Sequence, residues 1–141
     1  MYIGQFEHTI DIKNRLFLPS KYRQKKGLFV LTRGLELCLS LYDIQSWEKV
    51  LVRLESMQLK NKIEERAFKR ALLSGAHEVS PDVQGRVLIP QVLMEYARLK
   101  NDIAIIGVGD RLELWDAKNW QQYYQKEADT SFKNLAGELD I

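Results

Sequence analysis

The sequence has little cysteine, little proline and no long apolar run. Its 141 residues include one cysteine, Cys38, and three prolines. A single cysteine excludes an internal disulfide framework and any zinc site built on a CxxC pair. The longest apolar runs, residues 28–31 and 103–106, have four residues each, whereas a membrane span needs about 20. The first ten residues have no basic region or apolar stretch typical of a signal peptide. We therefore expect a reduced, soluble, cytoplasmic protein that does not contact membranes.

The charges that are present are divided unevenly along the chain. Apolar residues make up 45% and charged residues 28%, which is typical of a globular domain and argues against disorder. Residues 1–75 carry 14 basic and 8 acidic side chains, while residues 76–141 carry 7 and 11. This division indicates either a polyanionic partner for the basic half or self-association of unlike halves. Ordinary variation of a solvated surface is the third explanation.

The chain contains one internal repeat. Residues 11–19 read DIKNRLFLP and residues 82–90 read DVQGRVLIP, an offset of 71. Residues 38–43 match residues 111–116 at an offset of 73, and Trp47 and Trp120 continue that match. Two copies are too few for a solenoid. We therefore predict a pseudo-two-fold domain, equivalent to a fused homodimer.

The first matched block predicts a tight turn in each copy. Asn14 and Gly85 occupy the same position, and Asn and Gly accept a positive φ at the lowest cost. Asp11 and Asp82 begin the two turns, where a carboxylate can accept hydrogen bonds from the backbone two residues on. We therefore assign a structural role in the turn to Asp11, Asp82 and Gly85.

Each copy is predicted to run strand, turn, strand, short helix, hairpin, helix. Pro19 and Pro90 suit the first position of the short helices, which we expect to end near residue 27 and near residues 101–102. The predicted hairpins join residues 28–33 to 35–42 and residues 103–108 to 111–115. Asp43 and Asp116 are expected to cap the next helices. We expect a helical pair broken near residues 60–61 that ends at residues 74–75, and a loose tail over residues 131–141.

The two DxxxR turns, followed by RLFLP and RVLIP, resemble those of the MraZ family. The resemblance covers residues 5 to about 120 and implies two tandem SpoVT-AbrB-like DNA-binding modules. It further implies a transcriptional regulator of the division and cell-wall gene cluster. Such proteins assemble into rings and bind short direct repeats upstream of their own operon. At the first turn, Asn14 stands where the family usually has glycine.

The resemblance and the charges together suggest a set of DNA-contacting residues. Arginine is suited to bidentate contacts with phosphate or guanine, and an aspartate four residues away would orient it. Lys25 and Lys26 are further cations near the first turn, with a solvated helix face as their simpler explanation. We expect Arg15 to contribute more than Arg86 because more cations flank it in the sequence. The candidate DNA contacts are Lys13, Asn14, Arg15, Lys21, Arg23, Gln84 and Arg86.

The sequence gives little support to an enzyme. His8 and His77 fall at non-equivalent positions of the two copies and in no metal-ligand spacing. Cys38 lies in a predicted strand, where a small, half-buried residue is a simpler interpretation than a nucleophile. We therefore expect no catalytic residue, no metal and no cofactor. The alternative function is a structural or protein-interaction module in which each DxxxR turn is held together by its own Asp–Arg pair.

The predicted fold is a mixed α/β domain, a pseudo-two-fold AbrB-like swapped-hairpin β-barrel with connecting and C-terminal helices. We divide the chain into repeat 1 (residues 5–47), a helical connector (48–75), repeat 2 (76–120) and a C-terminal helix and tail (121–141). The expected partners are double-stranded DNA and further copies of the chain in a homo-oligomer, as a ring. The expected location is the cytoplasm, in association with the nucleoid.

Overall fold

The computed structural model describes residues 1–23 and 27–141 and gives a mixed α/β fold. Its strands are β1 (Gln5–Thr9), β2 (Arg15–Phe17), β3 (Phe29–Arg33), β4 (Leu39–Asp43), β5 (His77–Val79), β6 (Arg86–Leu88), β7 (Asp102–Gly107) and β8 (Leu112–Asp116). Its α-helices are α1 (Ile44–Ser56), α2 (Lys62–Ser74), α3 (Gln91–Tyr96), α4 (Ala117–Tyr123) and α5 (Asp129–Leu135). A 3₁₀ turn over Ser20–Tyr22 takes the place of α3 in the first copy.

The two copies exchange strands. A six-stranded antiparallel sheet has the order β1-β7-β8-β4-β3-β5, and β2 pairs with β6 in a separate two-stranded ladder. Each copy therefore adds its first strand to the hairpin of the other copy, and the two hairpins meet where β4 pairs with β8. Among the described residues, β1 and β5 remain the edges of the sheet. These strands therefore form an open antiparallel sheet and not a closed barrel.

The β2–β6 ladder closes the main core over one face of the sheet. Leu16 lies opposite Val87, and both are buried together with Leu18 and Ile89. The alternation of RLFLP and RVLIP thus directs equivalent apolar side chains inward, as the two-residue period of a strand requires. One core is shared by both copies, because Leu41 of the first copy and Leu112 and Leu114 of the second belong to it too.

The short helices begin one residue later than the sequence predicts, and α3 ends earlier. Pro19 and Pro90 occupy the cap position before the helix, with ψ of 139° and 143°, and not the first helical position. Helix α3 ends at Tyr96 because the chain reverses at Arg98, whose φ is +52°. In the first copy the 3₁₀ turn ends at Tyr22. The rest of the helix predicted there includes residues 24–26, which lie outside the described residues.

The first hairpin differs from its predicted form. Residues 35–37 were expected in the strand, but Glu36 and Leu37 both have positive φ, outside the range of a strand, and the segment forms a turn. The N–H of Gly34 donates to the carbonyl of Cys38 at 2.7 Å and closes this wider loop. Cys38 therefore precedes β4 and is fully buried, not half-buried in the strand.

The capping predictions are confirmed, and the helical segments extend further than expected. Asp43 accepts from the N–H of Ser46 at 2.8 Å, and Asp116 accepts from that of Asn119 at 3.3 Å. The predicted break near residues 60–61 separates α1 from α2, which ends at Ser74. The tail over residues 131–141, which we expected to be loose, is helical and contains the end of α5 and a 3₁₀ turn over Ala136–Leu139. A π turn over Tyr124–Ala128 joins α4 to α5. Among the described residues, no helix is long and apolar enough to cross a membrane.

Candidate nucleic-acid interface

The two DxxxR turns have the same hydrogen bonds. Asp11 Oδ1 accepts from the N–H groups of Lys13 and Arg15, both at 2.9 Å. In the second turn, Asp82 Oδ1 accepts from the N–H groups of Gln84 at 3.0 Å and Arg86 at 2.9 Å. Asn14 has a φ of +58° and Gly85 a φ of +85°. The aspartate and the residue of positive φ thus define each turn locally.

Each turn fixes its arginine in the same way. Arg15 Nε lies 2.7 Å from Asp11 Oδ2, and Arg86 Nε lies 2.8 Å from Asp82 Oδ2. Both pairs are partly exposed, and among the described residues neither guanidinium has a hydrogen-bond partner for its terminal amino groups. Each aspartate therefore orients an arginine while leaving the terminal amino groups of its guanidinium open to an acceptor outside the chain.

Hydrogen bonding keeps both aspartates ionised. The N–H of Arg15 makes the largest contribution that lowers the pKa of Asp11, partial desolvation opposes it, and the guanidinium of Arg15 lowers the pKa further. The pKa of Asp82 is lowered by Arg86 in the same way. At neutral pH each turn is therefore an ion pair. Because both pairs face solvent, we expect a modest contribution to stability.

The strand exchange brings both arginines to one surface. In the β2–β6 ladder, Arg15 lies opposite Leu88 and Phe17 lies opposite Arg86. These four side chains occupy the face turned away from the core, because Leu16 and Val87 point inward. We call Arg15, Phe17, Arg86 and Leu88 the outer ladder face. Its two arginines are diagonal neighbours, whose backbones typically lie about 7–8 Å apart.

Each turn is also supported by the opposite copy. The carbonyl of Gly85 accepts from the N–H of Leu18 at 2.9 Å, and that of Asn14 accepts from the N–H of Ile89 at 2.8 Å. The side-chain amide of Asn14 also donates to Gln91 Oε1 at 3.0 Å. Hydrogen bonds between the two copies therefore join the two turns into one unit.

The place of Arg23 in the sequence suggests that it belongs with the first turn, but its side chain lies against Gly85 of the second turn. Its Nε donates to the carbonyl of Leu18 at 2.6 Å, and its guanidinium lies 4.8 Å from the ring centroid of Phe17. A Cβ atom on Gly85 would lie 2.7 Å from Arg23 Cγ. Since Arg86 also lies over Phe17, at 5.9 Å, two arginines share this ring. The strand exchange thus removes one of the reasons for ranking Arg15 above Arg86.

The other predicted contacts are placed around these turns. Lys13 and Gln84 are exposed in equivalent turns, and Lys21 is exposed on the 3₁₀ turn with its Nζ 5.4 Å from the ring of Tyr22. Lys25 and Lys26 lie outside the described residues. Partial burial, and after it the charge of Arg23, lowers the pKa of His8, which lies 6.4 Å from Phe17 between ring centroids.

Sequence reasoning missed two exposed apolar side chains at the tips of the turns. Ile12 and Val83 occupy the same slot and are fully exposed. Phe17, on the outer ladder face, was also missed. The signal for the first two was the recurrence of a β-branched apolar residue at the second position of both turns, where a polar residue is usual.

The described residues give no support to a metal site or to a nucleophilic cysteine. They contain no group of three or more His, Cys, Asp or Glu side chains placed to hold a metal ion. Burial, together with the charges of Glu113 and Glu36, raises the pKa of Cys38 to about 12. A buried thiol that stays protonated is a poor nucleophile, since the thiolate is the reactive form.

Comparison with known proteins identifies the family. The family model described as "MraZ protein, putative antitoxin-like" matches residues 1–71 and 72–140, in agreement with the predicted repeat. The chain is 43% identical over 141 residues to "Transcriptional regulator MraZ" of Caldanaerobacter subterraneus subsp. tengcongensis, covering 99% of this chain and 97% of that protein. Proteins of the same name from Clostridium tetani and Clostridium acetobutylicum are 42% identical over 140 residues and 44% identical over 130 residues. These matches cover 99% and 92% of this chain, and 96% and 91% of the two relatives. The chain therefore belongs to the MraZ family.

Proposed function

We propose that this chain is a DNA-binding transcriptional regulator that contacts duplex DNA through its two turns and the outer ladder face. The observation that carries the proposal is the pair of arginines that Asp11 and Asp82 hold on one surface, with their terminal amino groups open to an outside acceptor. The name of the relatives, transcriptional regulator, supports the same function.

The proposed roles follow from the type and exposure of each side chain. Arg15 and Arg86 suit bidentate contacts with guanine or phosphate. Asn14 and Gln84 would contact base edges. The remaining candidate cations, Lys13, Lys21 and Arg23, would neutralise phosphates and set the register on DNA without reading its sequence. The proposal gives the protein no catalytic step and no cofactor.

The family resemblance supports several finer proposals. The DNA sites are short direct repeats upstream of the chain's own operon, in the division and cell-wall gene cluster. The protein acts in the cytoplasm, at the nucleoid, as a ring-shaped homo-oligomer. The exchange of β1 and β5 between the copies supports an arrangement like that of AbrB, built from repeats at residues 5–47 and 76–120 with a helical connector (48–75) and a C-terminal segment (121–141).

A footprint and two arginine variants test the central proposal. The purified protein should protect short repeated segments in the DNA upstream of its own gene. Arg15→Ala and Arg86→Ala should each lower affinity for that DNA, and Arg53→Ala, an exposed arginine on α1, serves as the matched control. If both turn variants lower the melting temperature but bind DNA like the control, the Asp–Arg pairs only hold the turns together. The structural or protein-interaction function would then replace DNA binding.

A further inference from the structure

Helix α2 leaves an apolar face uncovered. Ile63 is 73% exposed and Phe68 is 50% exposed, and the small residues Ala67 and Ala71 between and beyond them are exposed too. Ile63, Ala67 and Ala71 follow one another at intervals of four, so they lie along one side of the helix. The inner side of α2 instead carries Glu65, which is buried between Lys62 and Lys69. We call Ile63, Ala67, Phe68 and Ala71 the α2 face.

The C-terminal segment carries a second uncovered apolar stripe. Phe132, Leu135 and Leu139 are 63%, 52% and 71% exposed. Phe132 and Leu135, three residues apart, lie on one side of α5. Leu139 is exposed on the 3₁₀ turn that follows. We call these three residues the C-terminal stripe. Because it and the α2 face are both exposed, neither covers the other within one chain.

The two surfaces have opposite charges around them. Residues 60–70, which include most of α2, contain five basic and two acidic side chains. Residues 127–141, which include α5, contain four acidic side chains and one basic. Apolar faces that are bordered by opposite charges fit each other better than either fits a second copy of itself.

We propose that the C-terminal stripe of one copy packs on the α2 face of a second copy. Two different surfaces meet in such a contact, so it is head-to-tail and continues from copy to copy until the rotation closes it into a ring. The proposal rests on the self-association proposed above and names its surfaces, but it does not depend on the DNA contacts. Small side chains at Ala67 and Ala71 allow two helices to approach closely.

Size measurements test whether the two surfaces are needed for assembly. Ile63→Asp and Phe132→Asp should each raise the concentration for half-maximal assembly by about tenfold or more, the usual effect of removing a well-packed apolar contact. Val52→Asp is the matched control, because Val52 is an equally exposed apolar residue on α1. Light scattering after size exclusion measures the effect. A monomeric wild-type protein, or an unchanged assembly of Ile63→Asp and Phe132→Asp, would overturn the proposal.

Disulfide cross-linking tests the head-to-tail arrangement itself. Ala67→Cys and Leu135→Cys are made in separate chains, since the native Cys38 is fully buried and does not compete. Under mild oxidation, a mixture of the two variants should give cross-linked dimers, and each variant alone should not. Cross-links in either single variant as strong as in the mixture, or none in the mixture, would overturn the proposal. The Phe132→Asp variant keeps both turns unchanged, so its binding to a single DNA site tests the DNA proposal separately. Failure of the assembly proposal and failure of the DNA proposal can therefore be told apart.

Discussion

Substitution of Gly85 by alanine is expected to damage both the fold and the DNA-binding surface. Gly85 has a φ of +85°, and an L-residue in this left-handed region costs about 1–2 kcal/mol. The added Cβ would also lie 2.7 Å from Arg23 Cγ, so the arginine side chain must move. Its hydrogen bond to the carbonyl of Leu18 would be lost at a cost of about 0.5–1.5 kcal/mol. The expected loss of stability is about 2–3 kcal/mol in total.

Two other glycines separate these contributions. Gly109 has a φ of +100°, but a Cβ there would meet nothing within 4 Å, and at Gly137 there is neither a positive φ nor a neighbour. Gly109→Ala should therefore cost only the backbone strain, about 1–2 kcal/mol, and Gly137→Ala should be nearly neutral. Thermal melts of all three variants measure these differences, at about 3–4 °C per kcal/mol for a chain of this length.

DNA binding gives the second measurement on the same variants. Gly85→Ala displaces Arg23 from Phe17, next to Arg86, so it should weaken binding to duplex DNA, whereas Gly109→Ala should not. The reasoning would be refuted if the two variants had equal stability and equal affinity for DNA. In that case the position of Arg23 would not depend on the missing Cβ of Gly85.

Three further predictions concern single side chains. Lys21→Ala should weaken binding to specific and random duplexes alike and flatten the log-log salt dependence by about one, as expected for one phosphate contact; gel-shift titrations at several salt concentrations measure both. Hydrogen bonds from Arg86 and Gln84 lower the pKa of Asp82 in the folded protein. The stability that the charge of Asp82 adds is therefore present above the unfolded pKa of about 3.9 and is lost as pH falls. Asp82→Asn should therefore be less stable than wild type at neutral pH, with the difference shrinking below about pH 4 in acid melts. Cys38 is fully buried with its pKa raised to about 12, so a thiol reagent at mildly alkaline pH should modify it only after unfolding; rapid modification of the native protein would contradict this.

The parts of the fold that local chemistry determines were predictable from the sequence. The repeat, the helix caps at Asp43 and Asp116 and the break before α2 depend on short patterns, and the structure confirms them. The positive φ of Asn14 and Gly85 belongs to the same class, since residue type alone favours it.

Features that depend on tertiary contacts or on unusual backbone angles were not predictable from one stretch of sequence. Arg23 follows the first turn in the chain, but the exchange of strands places it against Gly85 of the second. Residues 35–37 alternate like a strand, yet consecutive positive φ values at Glu36 and Leu37 widen the loop. The same limit applies to α2, because an amphipathic pattern does not reveal whether its apolar face meets the core or remains exposed.

The salt dependence of DNA binding tests the central claim most directly. The affinity of the wild-type protein and of the double variant Arg15→Ala/Arg86→Ala is measured on duplex DNA from upstream of the gene, at two or more salt concentrations. The account predicts a clearly negative log-log slope for the wild type. In the double variant, whose fold is checked by its melting curve, the slope should be smaller by about two if each arginine contacts one phosphate. Its affinity should also fall by about 1–3 kcal/mol for each lost contact. A wild-type slope near zero, or a folded double variant that binds as tightly as the wild type, would contradict the account.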